Sequence, residues 1–113
     1  MPITNPQFEN HVFLDETRGD DFYPEPLVDR GALILVRLCE RIEERQPADL
    51  AALYVLTHAA TEEFNRLEQD FDAADSEIET MARDAVSMDF WFIARAYGFE
   101  DADIEELVAP REW

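Results

Sequence analysis

The sequence predicts an all-α fold, a compact helical bundle with three long antiparallel helices plus short N- and C-terminal helices. Only three glycines occur among the 113 residues, and no run alternates apolar and polar residues over the length of a useful strand. Apolar residues instead recur at helical spacing, and the turns between the long helices are short. We expect one domain, 1–113, with an N-terminal segment and aromatic loop (1–24), a three-helix core (25–98) and a C-terminal short helix and tail (99–113).

The N-terminal segment predicts one short helix followed by a loop. Asn5 is typical of a helix N-cap, and Pro6 suits the first helical position. The stretch TRGDDFYPEP, 17–26, is rich in turn formers and predicts an irregular connection that carries Phe22 and Tyr23.

Two long helices are predicted next. The first begins at Pro24 and Pro26 and ends near Gln46, where a further proline follows. Asp49 is a suitable N-cap for the second, which we expect to run to about Asp72. Its apolar seam advances by steps of three and four residues, as a packed helix requires. The seam comprises Leu50, Leu53, Thr57, Ala60, Phe64, Leu67 and Phe71.

The third long helix has recognisable signals at both ends. Ser76 with Glu79 matches the Ser-x-x-Glu pattern of a capping box, and Gly98 is a typical residue just beyond a helix end. A last short helix is predicted over 102–108, stopped by Pro110.

The charge restricts the classes of partner. The chain carries 27 acidic residues against nine arginines and no lysine, a formal net charge of −18. Nucleic-acid and anionic membrane binding both need a basic surface, so we expect neither. Two interpretations remain open: a solvated acidic surface, or a surface that meets a basic protein partner or copies nucleic acid. A single cysteine, Cys39, and the absence of a signal-peptide pattern indicate a cytoplasmic protein.

The stretch THAATEEFN, 57–65, raises the question of a metal or catalytic site. His58 and Glu62 lie four residues apart and face the same way as Tyr54, so they indicate a possible polar pocket. Two ligands on one helix are too few for zinc or iron, and we therefore expect no metal and no cofactor. The alternative is a boundary histidine bonded to Glu62 or to a neighbouring helix.

Asp89 interrupts the apolar face of the third helix, and we place it in the same possible pocket. A carboxylate there must be paired or protonated, since an isolated buried charge is costly. The candidate partners are His58, Arg37, Arg41 and a hydroxyl such as that of Tyr54. Three interpretations stay open: a structural clasp, a ligand-binding or acid–base carboxylate, or a residue at the rim of the core.

Trp91 projects away from the centre of the apolar face, and Trp113 is expected to be partly free. An exposed tryptophan is typical of a protein interface, although the N-terminal segment is an alternative cover for Trp91. We predict a partner surface formed by Trp91 and nearby acids. The acids are Glu62, Glu63, Glu68, Asp70, Asp72, Asp75, Glu77 and Glu79.

Arginines form a stripe on the first long helix. They predict salt bridges to acids of a neighbouring helix, with a carboxylate or phosphate site as the weaker alternative. The stripe comprises Arg30, Arg37, Arg41 and Arg45.

Four stretches together resemble a known family: FYPEPLVDRG, LTHAATEEFN, DSEIETMARDAV and AYGFEDADIEELVAPREW. The family consists of short bacterial proteins with a domain of unknown function, and the resemblance covers nearly the whole chain. It implies no activity, cofactor or catalytic residues.

For function, the sequence favours a cytoplasmic protein-binding module that neutralises a basic partner, as an immunity protein or a nucleic-acid mimic does. One alternative is a small-molecule or metal-binding protein that uses His58, Glu62 and Asp89, and another is a structural homodimer. The chain is thus expected to be a monomer or a homodimer. No nucleophile or phosphate-loop motif is present, so nothing argues for an enzyme.

Overall fold

The computed structural model describes residues 3–76 and 78–113. Three long helices dominate it, and the described part of the chain contains no strand, so the predicted all-α class is confirmed. The helices are α1 (Glu25–Arg45), α2 (Leu50–Ala73), α3 (Thr80–Ala96) and the short α4 (Ile104–Leu107). Two one-turn 3₁₀ helices, Pro6–Phe8 and Asp15–Thr17, precede α1. None of the helices within the described ranges is long and apolar enough to cross a membrane.

Most of the predicted helix ends are confirmed. Asn5 caps the first 3₁₀ helix by accepting a hydrogen bond from Gln7 N at 2.9 Å, and the Asp49 carboxylate accepts one from Ala52 N at 2.9 Å. Gly98 follows α3 with φ of 90°, a left-handed conformation that glycine adopts without strain. These caps satisfy backbone groups that a helix leaves without partners.

The capping box predicted for α3 is wrong. Glu79 occupies the N-cap position and its side chain makes no capping hydrogen bond. Ser76 is buried instead, and its hydroxyl donates to the Phe22 carbonyl at 2.7 Å. The Ser76 hydroxyl therefore serves a tertiary hydrogen bond to Phe22, 54 residues away in the chain, instead of the local capping pattern.

The core lies between α1, α2 and α3. The α2 seam predicted from spacing is confirmed, because Leu53, Ala60 and Phe64 are almost fully buried. On α1, Gly31 permits a close approach of the N-terminal segment: a Cβ added there would lie 2.9 Å from Cδ1 of Leu14.

Both terminal segments fold back over the three long helices. Phe8, Phe13 and Leu14 are buried from the N-terminal side. Trp113 is also buried, with its ring 6.1 Å from that of Phe64, so the expectation that it is partly free is wrong. Asn65 of α2 holds this C-terminal tail, since its amide donates to the Pro110 carbonyl and accepts from Glu112 N.

Candidate functional site

Among the described residues, Asp89 is the charged residue that the fold buries. Its side chain is buried in α3, where Oδ1 lies 3.0 Å from His11 Nε2 and Oδ2 accepts a hydrogen bond from Leu14 N at 2.7 Å. Burial raises the pKa of this carboxyl, and the hydrogen bonds from Leu14 and His11 oppose that rise. The sequence thus correctly required a partner for Asp89, but none of the four candidates is the partner.

His11, Leu14 and Asp89 together form a clasp between the N-terminal segment and α3. Its ring stacks on Phe92 with the ring centroids 4.1 Å apart and the planes 5° from parallel, and it meets Phe13 edge-on at 5.0 Å. The ring is therefore fixed on two sides while its Nε2 faces Asp89. The sequence offered one signal that His11 was important: it is one of only two histidines and directly precedes the apolar residues Val12, Phe13 and Leu14.

A groove of about 260 Å³ lies beside the clasp, between residues 11–16 and α3. Its apolar surface comes from Val12, Met88, Trp91 and Phe92, and Val12 and Met88 are 54% and 49% exposed. Two acids of the second 3₁₀ helix, Asp15 and Glu16, also line it. The groove thus combines an exposed apolar floor with an acidic rim.

Trp91 lines this groove and is half-buried. The sequence left two alternatives open, an exposed interface residue and a residue covered by the N-terminal segment, and each describes part of the observed position. The N-terminal segment forms the opposite wall, and the guanidinium of Arg95 lies 4.7 Å above the indole ring. A cation over an indole face is attracted by the ring's electrons, so Arg95 stabilises Trp91 in this position.

The pocket predicted from His58, Glu62, Asp89 and Tyr54 does not form as one site. His58 bonds through Nε2 to the Glu106 carbonyl at 2.6 Å, and its ring stacks on Tyr54 at 6.0 Å. The correction has a simple physical cause. This edge of α2 faces the C-terminal segment, whereas Asp89 on α3 faces the N-terminal segment.

The other members of that predicted pocket support the same conclusion. The hydroxyl oxygen of Tyr54 accepts a hydrogen bond from Asp103 N at 3.2 Å, and Glu62 is exposed. Within 3–76 and 78–113, no group of three His, Cys, Asp or Glu side chains is arranged to hold a metal ion.

Several acids of the predicted partner surface form ion pairs or hydrogen bonds with other residues of the chain. Asp70 pairs with Arg30 at 2.7 Å and Glu63 with Arg41 at 3.4 Å, which confirms the predicted salt bridges for these two members of the arginine stripe. Glu68 accepts a hydrogen bond from Ile78 N at 2.9 Å. The remaining described acids of that surface are exposed, namely Glu62, Asp72, Asp75 and Glu79, and Glu77 lies outside the described residues.

A second carboxylate clasp, at Glu43, was not predicted. Its oxygens accept hydrogen bonds from Thr4 N, Thr4 Oγ1 and Asn5 N at 2.7 to 3.2 Å, and from the Tyr97 hydroxyl at 2.5 Å. Burial raises the pKa of the Glu43 carboxyl, but these donors outweigh burial and lower its pKa to about 2. Because donors from distant segments make the site, the helical phase of α1 alone does not reveal it.

Comparison with known proteins identifies the family of the chain. A family model for a domain of unknown function matches residues 7–113. The chain belongs to DUF5713, a family of unknown function. No curated protein and no solved structure matches the chain. The resemblance noted from four stretches is therefore confirmed as membership of an uncharacterised family, and the matched range includes both walls of the groove.

Proposed function

We propose that this protein is a cytoplasmic binding module whose groove receives a basic, amphipathic segment of a partner protein. The observation that carries the proposal is the exposed apolar floor at Val12 and Met88 with the acids Asp15 and Glu16 at its rim. A basic toxin or a nucleic-acid-binding protein is the class of partner that such a surface suits.

The floor of the groove supports an apolar contact. Exposed apolar side chains that adjoin one another are typical of interaction sites. Met88 has a flexible, polarizable side chain that adapts to different partners, and Met81, which is 41% exposed, lies two helical turns earlier on the same face of α3. A stripe of this kind is suited to a helix that places apolar residues at similar spacing.

The charge of the rim selects the partner. Asp15 and Glu16 are exposed, and Asp84 is exposed one turn before Met88 on α3. Together with the net charge of −18, they favour arginine or lysine beside the partner's apolar residues and speed its capture. The same charge disfavours a second copy of this chain as the occupant, because two such acidic surfaces repel each other.

The groove replaces the acidic surface predicted from sequence as the centre of the contact. Asp70 and Glu63 are already neutralised by arginines, so they contribute little to an external field. The exposed acids near the end of α2 remain available for long-range steering, whereas the groove supplies a defined place to bind.

Fluorescence anisotropy tests the proposal with a labelled helical peptide that carries leucines on one face and arginines on the other. We expect saturable binding that salt weakens. Met88→Glu is expected to lower the affinity by about tenfold or more, because it removes apolar contact area that a methionine buries. The loss is expected even though the substitution increases the negative charge.

A matched variant separates docking from general charge attraction. Val55 on α2 is 69% exposed and does not line the groove, so Val55→Glu changes the net charge equally. It should leave the affinity unchanged or slightly increased. If the two variants bind the peptide equally well, the groove is not the binding site and the proposal fails.

A further inference from the structure

A different surface gathers positive charge in this acidic protein. Four of the nine arginines lie along the contact between α1 and α2, and three of them line one groove of about 190 Å³. These three are Arg30, Arg37 and Arg66, and Glu63 is the acid among the lining residues. The lining side chains therefore sum to a local charge of +2, against a chain of −18.

The ion pairs divide these arginines into two kinds. Arg30 is neutralised by Asp70, and Glu63 is neutralised by the fourth arginine, Arg41. Arg37 and Arg66 are exposed, and neither forms an ion pair with any residue in the described ranges. Two guanidinium groups, one from each helix, are thus available to a ligand in the same groove.

The groove also offers an apolar surface between these cations. Leu33, Ile34 and Leu67 line it, and Leu33 is 45% exposed. A ligand that is only an inorganic ion would leave this surface in contact with water. A ligand with a short apolar part would cover it and gain from its burial.

We propose that Arg37 and Arg66 bind the phosphate group of a small phosphate monoester whose organic part rests on Leu33. A phosphate monoester carries a charge of about −1.5 to −2 near neutral pH, which the two arginines match. The planar guanidinium donates paired hydrogen bonds to phosphate oxygens. This site is independent of the proposed partner groove, because no residue lines both.

Isothermal titration at low ionic strength tests the site with phenyl phosphate as the probe and benzoate as a matched monoanion. We expect one phenyl phosphate per chain and clearly weaker binding of benzoate. Lowering the pH from about 7.5 to about 5 should weaken phenyl phosphate binding, because protonation near pH 6 removes one of its charges. Equal affinities for the two probes would overturn the assignment to phosphate.

Arginine variants locate the bound probe. Arg37→Gln and Arg66→Gln should each lower the affinity by roughly tenfold, because each removes charged hydrogen bonds. Arg45→Gln is the control, since Arg45 is an exposed arginine of α1 that does not line the groove. An equal loss with Arg45→Gln, or no saturable binding by the unmodified protein, would overturn the proposal. Binding to phosphatidic acid vesicles without binding to phenyl phosphate would overturn the assignment to a soluble ligand.

Discussion

Oδ1 of Asp89 lies 3.0 Å from Nε2 of His11, a residue 78 positions earlier in the chain. This contact ties the N-terminal segment to α3, and the second carboxylate oxygen extends the tie to Leu14 N. The groove proposed for the partner lies directly beside it, with His11 and Asp89 among its lining residues. The clasp therefore holds together the two walls between which the partner is proposed to bind.

The clasp predicts an order of stability among variants at Asp89. We expect Asp89→Ala to lower the free energy of unfolding by about 1.5–3 kcal/mol, because it leaves the buried Leu14 N–H without its charged acceptor. Asp89→Asn should cost less, since its amide oxygen can still accept that hydrogen bond and the substitution removes a buried charge. Urea unfolding of the three proteins measures this. Equal losses for the two variants would show that the acceptor at position 89 does not matter.

Glu43 predicts a specific loss of stability in acid. Its pKa is lowered from 4.5 to about 2 in the folded protein, so the folded state binds this proton less readily than the unfolded chain does. The stabilisation is fully present above pH 4.5 and is lost as the pH falls toward about 2. Urea unfolding at several pH values should therefore show a shallower loss in this range for Glu43→Gln than for the unmodified protein. The same slope for both proteins would contradict the assignment.

Gly31 is a helix position at which we expect alanine to destabilise the protein instead of stabilising it. Alanine in the middle of a helix normally stabilises it by roughly 1 kcal/mol relative to glycine. Here the added Cβ would lie 2.9 Å from Leu14 Cδ1 and 3.2 Å from Phe64 Cε1, and both side chains are buried in the packed core, which limits how far they can move away. We expect Gly31→Ala to destabilise the protein by about 1 kcal/mol.

A double-mutant comparison tests whether Leu14 causes the effect at Gly31. In a Leu14→Ala background the close contact is gone, so Gly31→Ala should become neutral or stabilising. If Gly31→Ala has the same cost in both backgrounds, measured by urea unfolding, the N-terminal segment does not pack on α1 at this position.

Cys39 is expected to report on opening of the fold. The thiol is fully buried, and burial, followed by the charge of Glu43, raises its pKa to about 12. Near neutral pH it is both protonated and covered, so a thiol-reactive dye should label it only when the protein unfolds. Labelling rates that follow the unfolding equilibrium in urea are the expected result. Rapid labelling without urea would contradict this burial.

The parts of the fold that were predictable from the sequence depend on neighbouring residues. Asp49 and Asn5 cap their helices within a few residues, and the α2 seam follows from regular spacing, so sequence alone identified them. Ser76 shows the limit of such local patterns. Its hydroxyl donates a hydrogen bond to the carbonyl of Phe22, 54 residues away, and does not cap the next helix.

The candidate site was only partly predictable, for a similar reason. Burial of Asp89 follows from its position on an amphipathic helix, and the need for a partner follows from its charge. The identity of that partner depends on where the irregular segment 11–16 crosses α3, which no periodicity encodes. The ion pairs of Asp70 with Arg30 and of Glu63 with Arg41 likewise depend on how α2 is aligned against α1.

The groove beside the clasp is proposed to bind a basic, amphipathic segment of a partner protein. The most direct measurement is a proton–nitrogen correlation NMR titration of the labelled protein with the leucine–arginine peptide. We expect saturable shifts of the Val12 and Met88 amides and of the Trp91 indole N–H, while Val55 on α2 stays unchanged. Shifts confined to the exposed acids at the end of α2, or no saturable shift at all, would show that the peptide does not bind in the groove.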